Sequence, residues 1–317
     1  MAVYSLAPLL GPAIGPIVGG FISENTTWRW VFYATSIATG VIQIAGVLFL
    51  RETYGPRILK ARAKKTRKAT GDPSYQTEEE QQNKTLSQSL QTSLVRPFRL
   101  LATQPIVQVL ALYMAYTYGL MYLMLSTFPM LWTDPQYYDE SPGIGGLNYI
   151  SLGLGSLLGA YICAYLNDRT YRRLKARNND IGKPEFRLPL LAITTICVPA
   201  GLFIYGWTAQ TQQHWIAPNI GASIFGVGNM MTFQCMQTYI VDTYTQFAAS
   251  AMAAVSVLRS LAAFGFPLFA PYIYNALRYG WGNSLLAFIS IGIGIPAPIF
   301  LWKFGEKLRK ASPYATG

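Results

Sequence analysis

Long apolar stretches, separated by short polar segments, make up most of the 317-residue chain. Five of them contain no charged residue and are each long enough to cross the roughly 30 Å hydrocarbon core of a bilayer as a helix; they are residues 3–22, 30–50, 106–131, 143–166 and 281–302. A sixth charge-free stretch covers residues 188–241, and as a single helix it would extend about 80 Å. The polar run from Thr208 to His214 predicts a turn within it, with helices near 188–207 and 215–241.

An eighth apolar stretch, residues 247–273, differs from the others because Arg259 lies near its middle. On insertion scales an arginine at the centre of a membrane helix costs about +3 kcal/mol, and the surrounding Val, Leu and Phe side chains offset that cost. Such a helix is stable where neighbouring helices or water receive the guanidinium, so Arg259 is expected to face the interior of a helix bundle. The pattern therefore predicts an all-α polytopic membrane protein with eight transmembrane helices.

Basic residues are concentrated in three segments between the predicted spans. Of the 25 Lys and Arg residues, 22 lie within 51–103, 167–187 and 303–310. With eight spans these segments fall on one side of the bilayer, as the positive-inside rule requires of the cytoplasmic face. A soluble basic protein would not alternate its charge with apolar spans in this way, so the net charge of +11 does not indicate nucleic-acid binding. The partner that the pattern indicates is the lipid bilayer.

Residues for metal, cofactor or enzyme chemistry are scarce. Cys163, Cys197 and Cys235 fall in three separate predicted spans without the spacing of a zinc site or a disulfide framework, and His214 is the single histidine. We therefore expect no metal and no cofactor. The spans contain no nucleophile with an accompanying base, which argues against a membrane enzyme. The chain also lacks a G-x-x-x-x-G-K-[ST] motif, so an ATP-driven pump is not indicated.

A glycine and proline motif in the first span is the most specific signal in the chain. Gly11, Gly15 and Gly19 share one helical face, with Pro16 and Gly20 beside them, which favours close helix packing and a kink. Glycines at this spacing also occur in ordinary tight helix pairs. The full string, however, resembles the antiporter signature G-x-x-x-G-P-x-x-G-G in the fifth helix of drug exporters of the major facilitator superfamily.

A second motif follows the fourth span. Asp168, Arg169, Arg172 and Arg173 are similar to the D-R-x-G-R-[RK] loop motif of the same superfamily, and Tyr171 replaces its glycine. An ordinary cytoplasmic loop would also be basic, but it would not require the acidic Asp168. An acid among basic residues can pair locally or face a helix N-terminus. Asp168 and its basic neighbours are therefore expected to form a latch that opens and closes as two halves of a transporter rock.

Further stretches, from Tyr239 to Tyr244 and from Ala251 to Pro271, extend the resemblance to twelve-span fungal drug:proton antiporters over nearly the whole chain. The resemblance implies a major facilitator fold in which this chain supplies helices five to twelve and lacks the first four. The fourth-helix arginine that the family associates with proton coupling would lie upstream of Met1. The resemblance implies that the chain has four parts. They are the last two helices of the N-terminal half in 1–50, a cytoplasmic central loop in 51–103, a six-helix C-terminal half in 104–303 and a cytoplasmic tail in 304–317.

The central loop is expected to be a mobile hydrophilic connector. Near its end Leu86, Leu90, Leu94 and Phe98 recur every four residues, which predicts a short amphipathic helix that Pro97 ends. A plain linker is an equally good interpretation of the same residues.

A stripe of small residues in the fourth span has the same period as the glycines of the first. The stripe consists of Ser151, Gly155 and Gly159, with Cys163 one turn further on. In the resembling family the antiporter helix packs against this span. We therefore expect Gly11, Gly15 and Gly19 to meet Gly155 and Gly159 at a tight seam, so that cysteines placed at 15 and 155 would crosslink.

Polar and aromatic residues inside the spans are the candidates for contact with a substrate. Intramembrane Tyr and Gln side chains also serve as structural hydrogen-bond donors between helices, whereas a buried cation is costly and indicates function. Asp242 is expected to cap or latch the cytoplasmic end of the sixth span, too shallow to reach Arg259. The candidate cavity residues are Tyr113, Tyr116, Gln234, Gln237 and Arg259.

The resemblance implies a secondary transporter of the plasma membrane that exports small amphipathic organic compounds, either drugs or secondary metabolites, in exchange for protons. Two alternatives remain open at this stage. In the first, the chain is a truncated, non-transporting fragment or a membrane interaction partner; in the second, it is a transporter of polyamines or other small solutes. Alternating access normally requires two pseudo-symmetric halves, which keeps the fragment interpretation open.

Overall fold

The computed structural model describes residues 2–72, 74–77, 86–312 and 314–315, and the regular secondary structure in these ranges is helical. The all-helical fold expected from the apolar pattern is confirmed. Proline occupies the first turn of several helices, where its missing N–H leaves no hydrogen bond unmade. The helices are α1 (Ala2–Asn25), α2 (Trp28–Phe49), α3 (Gly55–Thr70), α4 (Leu86–Thr103), α5 (Pro105–Thr133), α6 (Pro142–Leu147), α7 (Tyr149–Arg177), α8 (Leu191–Gln210), α9 (Ile216–Thr243), α10 (Ala248–Gly294) and α11 (Pro296–Lys310), with 3-10 helices at Pro184–Arg187 and Thr245–Phe247.

The 47-residue run called α10 consists of two helices that meet at Arg278. The backbone of Arg278 has φ 56° and ψ −178°, values that an L-residue rarely adopts and that interrupt the helix. Beyond this point the ring of Tyr279 stacks on that of Tyr274, with centroids 4.7 Å apart. We call the part before Arg278 α10a and the part after it α10b. The break lies between the two spans predicted for this region.

Five stretches of the described chain are long and apolar enough to cross a membrane, judged by length and composition. The longest, Thr245–Lys310, contains α10a, α10b and α11 and is too long for one crossing. The count of eight spans stays a prediction, because α1 and α9 lie outside these five stretches. The stretches are Trp28–Phe49, Pro105–Thr133, Pro142–Arg177, Pro184–Gln210 and Thr245–Lys310.

The segment 51–103 differs from the connector expected from its composition. It contains two helices, α3 and α4, and α4 does not end at Pro97 but continues through it to Thr103. A proline inside a helix removes one backbone hydrogen bond. The helix persists past this residue because it leads into the core, where Leu100 is completely buried.

Close contacts divide the chain into two compact units. One unit comprises Met1–Trp28 with Pro97–Gly317, and the other comprises Arg29–Arg96. This division falls between α1 and α2, whereas the sequence places both helices in one half. The functional division of the chain at residues 50, 103 and 303 stays a prediction.

Two hydrophobic cores stabilise the larger unit, one along each half of α5. The first surrounds Ile106 and Leu110 and includes Tyr239 of α9 and Leu301 of α11. The second surrounds Phe128 near the other end of α5 and includes buried side chains of α7, α8, α9 and α10. Helix α9 packs against α7 and α8, and α5 packs against α10. These helices form the frame that positions the charged and aromatic groups described below.

Candidate functional site

Helix α1 docks on the short helix α6 through one end of its glycine motif. A Cβ atom added to Gly146 of α6 would lie 3.1 Å from the carbonyl oxygen of Pro16, and one added to Gly20 would meet the carbonyl group of Pro142. The Gly143 N–H donates a hydrogen bond of 2.8 Å to the Glu24 carboxylate. The motif therefore brings α1 close to α6, and α1 also packs on α7.

The small stripe of α7 faces α9 rather than the glycines of α1. A Cβ atom added to Gly155 would collide with the carbonyl oxygen of Ser223, whereas one added to Gly15 would have no atom within 4 Å. Ser151 continues the same contact, because its carbonyl oxygen accepts a hydrogen bond of 2.8 Å from the Ser223 hydroxyl.

The surroundings of the remaining glycines also show that α7 contacts α9 and not the glycines of α1. A Cβ at Gly159 would lie 2.5 Å from the carbonyl oxygen of Val227, and one at Gly11 would also have no atom within 4 Å. The predicted pairing of Gly11 and Gly15 with Gly155 and Gly159 is therefore wrong, and a crosslink between positions 15 and 155 is no longer expected. The reason is that α9 has a small-residue face of its own: a Cβ at Gly226 would lie 2.9 Å from the carbonyl oxygen of Leu152.

Two cysteines that the sequence places in separate spans meet at this α7–α9 contact. The Sγ atoms of Cys163 and Cys235 are 3.5 Å apart, and both side chains are buried. The third cysteine, Cys197, lies on α8. We expect copper phenanthroline to oxidise the first two to an intramolecular disulfide, the thiols giving up two electrons and two protons to the oxidant.

Mass spectrometry of the digested protein would identify the linked peptides. The Cys235→Ser variant retains two of the three cysteines and should yield no linked peptide, which provides the matched control. A dominant link to Cys197 in the unchanged chain would contradict the α7–α9 packing described here.

The residues of the predicted loop motif, Asp168 to Arg173, do not form a loop but lie within α7, and Asp168 belongs to a clamp whose central residue was not predicted from the sequence. Arg187 donates one hydrogen bond of 2.7 Å from Nη1 to Asp168 and another of 3.0 Å from Nε to Asp242. Its guanidinium carbon also lies 4.4 Å from the ring centroid of Tyr171. We call Asp168, Arg187 and Asp242 the Arg187 clamp. Because Asp168 is on α7 and Asp242 on α9, the clamp joins these two helices, at the end of α9 and within the second half of α7.

The other members of the predicted latch do not take part in these ion pairs. Arg169 donates a hydrogen bond of 3.1 Å to the Tyr165 hydroxyl, and Arg172 and Arg173 are exposed. Together with Asp168 they line a surface groove beside α7. The sequence signal that would have found Arg187 is the alternation of charge in Lys183, Glu185 and Arg187, directly before a charge-free helix.

This alternating segment is bonded along its length to α11 as well. Lys183 pairs with Glu306 at 2.7 Å. Glu185 pairs with Arg309 at 3.3 Å, and both of these side chains are at most 7% exposed. The segment 183–187 therefore ties α7, α9 and α11 together by successive ion pairs.

A cavity of about 470 Å³ lies beside the Arg187 clamp, between α7 and α9. Gln234 and Gln237, two of the predicted cavity residues, line it together with Asn167 and Thr238. All three residues of the clamp are also in its wall. The amide groups and the clamp thus provide several hydrogen-bonding groups in one place.

The two tyrosines predicted to line a cavity pack between helices. Tyr113 is 5% exposed and Tyr116 is 8% exposed. The Tyr116 hydroxyl donates a hydrogen bond of 2.6 Å to the carbonyl oxygen of Leu286, and its ring lies edge-on to Phe266. Contact of either tyrosine with a substrate stays a prediction.

Arg259 lies between α5, α9 and α10a, among aromatic rings. Its guanidinium carbon is 4.6 Å from the ring centroid of Tyr118 and 5.5 Å from that of Phe233. A third ring, Tyr122, lies 5.1 Å from Tyr118. The Nε atom of Arg259 is buried without a hydrogen-bond partner among the described residues. We call Arg259, Tyr118, Tyr122 and Phe233 the Arg259 cluster. The spacing of Tyr118 and Tyr122 on one helical face was its sequence signal.

Known proteins similar to this chain are membrane transporters. The family model described as Major Facilitator Superfamily matches residues 1–267. The efflux pump vrtL of Penicillium aethiopicum is 53% identical over 317 residues, which are 100% of this chain and 62% of that protein.

Two further relatives are also named as transporters or efflux pumps. An uncharacterized transporter of Schizosaccharomyces pombe is 47% identical over 98% of this chain and 63% of its own length. The efflux pump radE of Floropilus chiversii is 43% identical over 98% of this chain and 57% of its own length. The chain therefore spans less than two thirds of the length of these relatives.

Proposed function

Because this chain belongs to the Major Facilitator Superfamily, we propose that it carries helices five to twelve of a secondary transporter that exports small amphipathic organic compounds. The family is one of transporters and not of enzymes, and the apolar helices make the chain an integral multi-pass membrane protein. The observation that carries the proposal is 53% identity to an efflux pump along the entire chain. We further propose that drugs or secondary metabolites are the cargo, that protons drive the exchange, and that the plasma membrane is its site.

The proposed role of the Arg187 clamp is to hold α7 and the proposed cytoplasmic end of α9 together in one state of the transport cycle. One guanidinium bridges two carboxylates on different helices, so its loss leaves two like charges facing each other. Breaking and remaking such a pair is a common way to give a rocking transporter two discrete states. The adjacent cavity lined by Gln234 and Gln237 would change its access as the clamp opens.

Replacing Arg187 by Met tests this role. We expect the initial transport rate to fall about tenfold, which corresponds to about 1.4 kcal/mol in the barrier. Arg172→Met removes an exposed arginine of the motif that contains Asp168. It should leave the transport rate within about twofold of that of the unchanged chain, because exposed charges contribute little. An Arg187→Met protein that is folded and transports at the unchanged rate would refute the latch.

Transport itself is tested with the purified full chain in sealed liposomes. A panel of neutral, acidic and basic organic compounds is presented outside vesicles whose lumen is acidic, and uptake is followed with and without the proton gradient. Gradient-dependent uptake of at least one compound is expected. Vesicles that accumulate no compound under either condition would reject independent transport by this chain.

A further inference from the structure

We propose that the Arg259 cluster binds planar aromatic compounds that carry an ionised acidic group, with the acid on Arg259 and the ring against the aromatic side chains. The inference rests on the proposed transport function and narrows its substrate class. It depends on three features of the described residues: a positive charge without an ionic partner, the orientation that two rings impose on it, and an accessible aromatic wall.

The first feature is the uncompensated charge of Arg259. An arginine side chain stays protonated in proteins, and in the middle of an apolar helix its cost is about +3 kcal/mol. Arg187, by contrast, is bonded to the carboxylates of Asp168 and Asp242. Arg259 forms no ion pair and no hydrogen bond with any residue that the structure describes, and its Nε atom is buried. A bound anion would supply the missing partner.

The second feature is the position of the guanidinium against two rings. The rings of Tyr118 and Phe233 lie 6.1 Å apart at an interplanar angle of 30°, and the guanidinium is within 5.5 Å of both centroids. A guanidinium that lies flat on ring faces keeps its N–H donors, which lie in its plane, available to a ligand. Donors held in this fork bind a carboxylate through two parallel hydrogen bonds. A flexible ammonium group would lack this geometry.

The third feature is the aromatic wall. Tyr122 is 40% exposed and lies beside Tyr118, so one ring of the cluster is accessible to a ligand. Offset stacking on tyrosine favours a flat aromatic ring over an aliphatic chain of equal size. The site has no carboxylate among its described members, so a polyamine would meet a like charge in Arg259. The cluster therefore argues against the polycation alternative.

A set of three probes with one ring system tests the inference directly. Binding of 2-naphthoate, 2-naphthylmethanol and 2-naphthylmethylammonium to the purified full chain is measured by titration calorimetry. We expect naphthoate to bind about tenfold more tightly than the neutral alcohol and the ammonium to bind most weakly. Equal affinity for the three probes would overturn the inference without any variant, so the test does not depend on a mutant folding.

Variants then assign the selectivity to Arg259. Arg259→Gln should raise the dissociation constant of naphthoate about tenfold and change that of the alcohol by less than about twofold. Arg259→Lys keeps the charge but loses the planar fork. Its dissociation constant for naphthoate should therefore lie between that of the unchanged chain and that of Arg259→Gln. Arg278→Gln, at the exposed break in α10, is the matched control and should change nothing. A folded Arg259→Gln protein that still prefers naphthoate, or that loses all three probes equally, contradicts the proposed role.

The transport assay distinguishes failure of this inference from failure of the proposed function. Selective naphthoate binding without gradient-dependent uptake would leave the binding site standing and reject independent transport. Gradient-dependent uptake that is equal for the three probes and unchanged by Arg259→Gln would leave transport standing and reject the substrate class.

Discussion

Replacement of Arg309 by Ala is expected to lower the free energy of unfolding by about 3–5 kcal/mol, because it leaves a buried carboxylate without its cation. Glu185 and Arg309 are both more than nine-tenths buried, and their side chains meet at 3.3 Å. In this environment water cannot solvate the carboxylate that remains. Chemical unfolding of the purified chain in detergent, followed by circular dichroism, measures the loss.

The exposed pair of Arg57 and Glu52 provides the matched control. Their side chains are 77% and 49% exposed at a separation of 3.4 Å, so Arg57→Ala should change stability by about 0–1 kcal/mol. A double variant, Glu185→Leu with Arg309→Met, removes both charges and should recover most of the loss. If Arg309→Ala unfolds at the same denaturant concentration as the unchanged chain, the buried ion pair does not stabilise this end of the bundle.

Replacement of Gly155 by Ala is expected to destabilise the chain by about 1–3 kcal/mol, because the added methyl group collides with a backbone carbonyl. The atom in its way is the carbonyl oxygen of Ser223, which cannot move unless α9 moves as a whole. Ordinarily an alanine is favoured over a glycine inside a helix by about 1 kcal/mol, so the sign of the effect identifies the contact. Thermal unfolding of the purified protein measures it.

Gly15→Ala is the matched control for this prediction. A Cβ at Gly15 has no atom within 4 Å, so this variant should be neutral or more stable by up to about 1 kcal/mol. The two variants differ only in whether a neighbouring backbone lies over the glycine. A stabilising Gly155→Ala, or a strongly destabilising Gly15→Ala, would show that the small stripe of α7 does not meet α9.

The partners of the glycines illustrate what a periodic pattern leaves undecided. A row of small residues indicates that another helix approaches closely, but α1, α7 and α9 all contain such rows. Each row fits any of the others, so the pattern does not select the pair. The choice of α9 by Gly155 depends on the positions of all the helices around α7.

The partners of charged residues could not be predicted from the sequence. Asp242 lies at the end of α9 as expected, whereas Asp168, expected in a loop, lies within α7, which continues to Arg177. The residue that joins them, Arg187, is 19 positions from one and 55 from the other. Such separations leave no periodic signal. The same holds for Cys163 and Cys235, which the sequence places in separate spans and whose Sγ atoms lie 3.5 Å apart.

By itself the sequence determined the apolar helices, the turn near residue 211, the segregation of basic residues and the family, because each follows from local composition or from motifs read along the chain. Only the tertiary structure decided that Tyr113 and Tyr116 are buried, that α4 passes through Pro97 and that Arg259 lies against Tyr118 and Phe233. These outcomes depend on which faces of distant helices meet. That choice is made by the packing of whole side chains in three dimensions, where a change of one helical turn alters every partner.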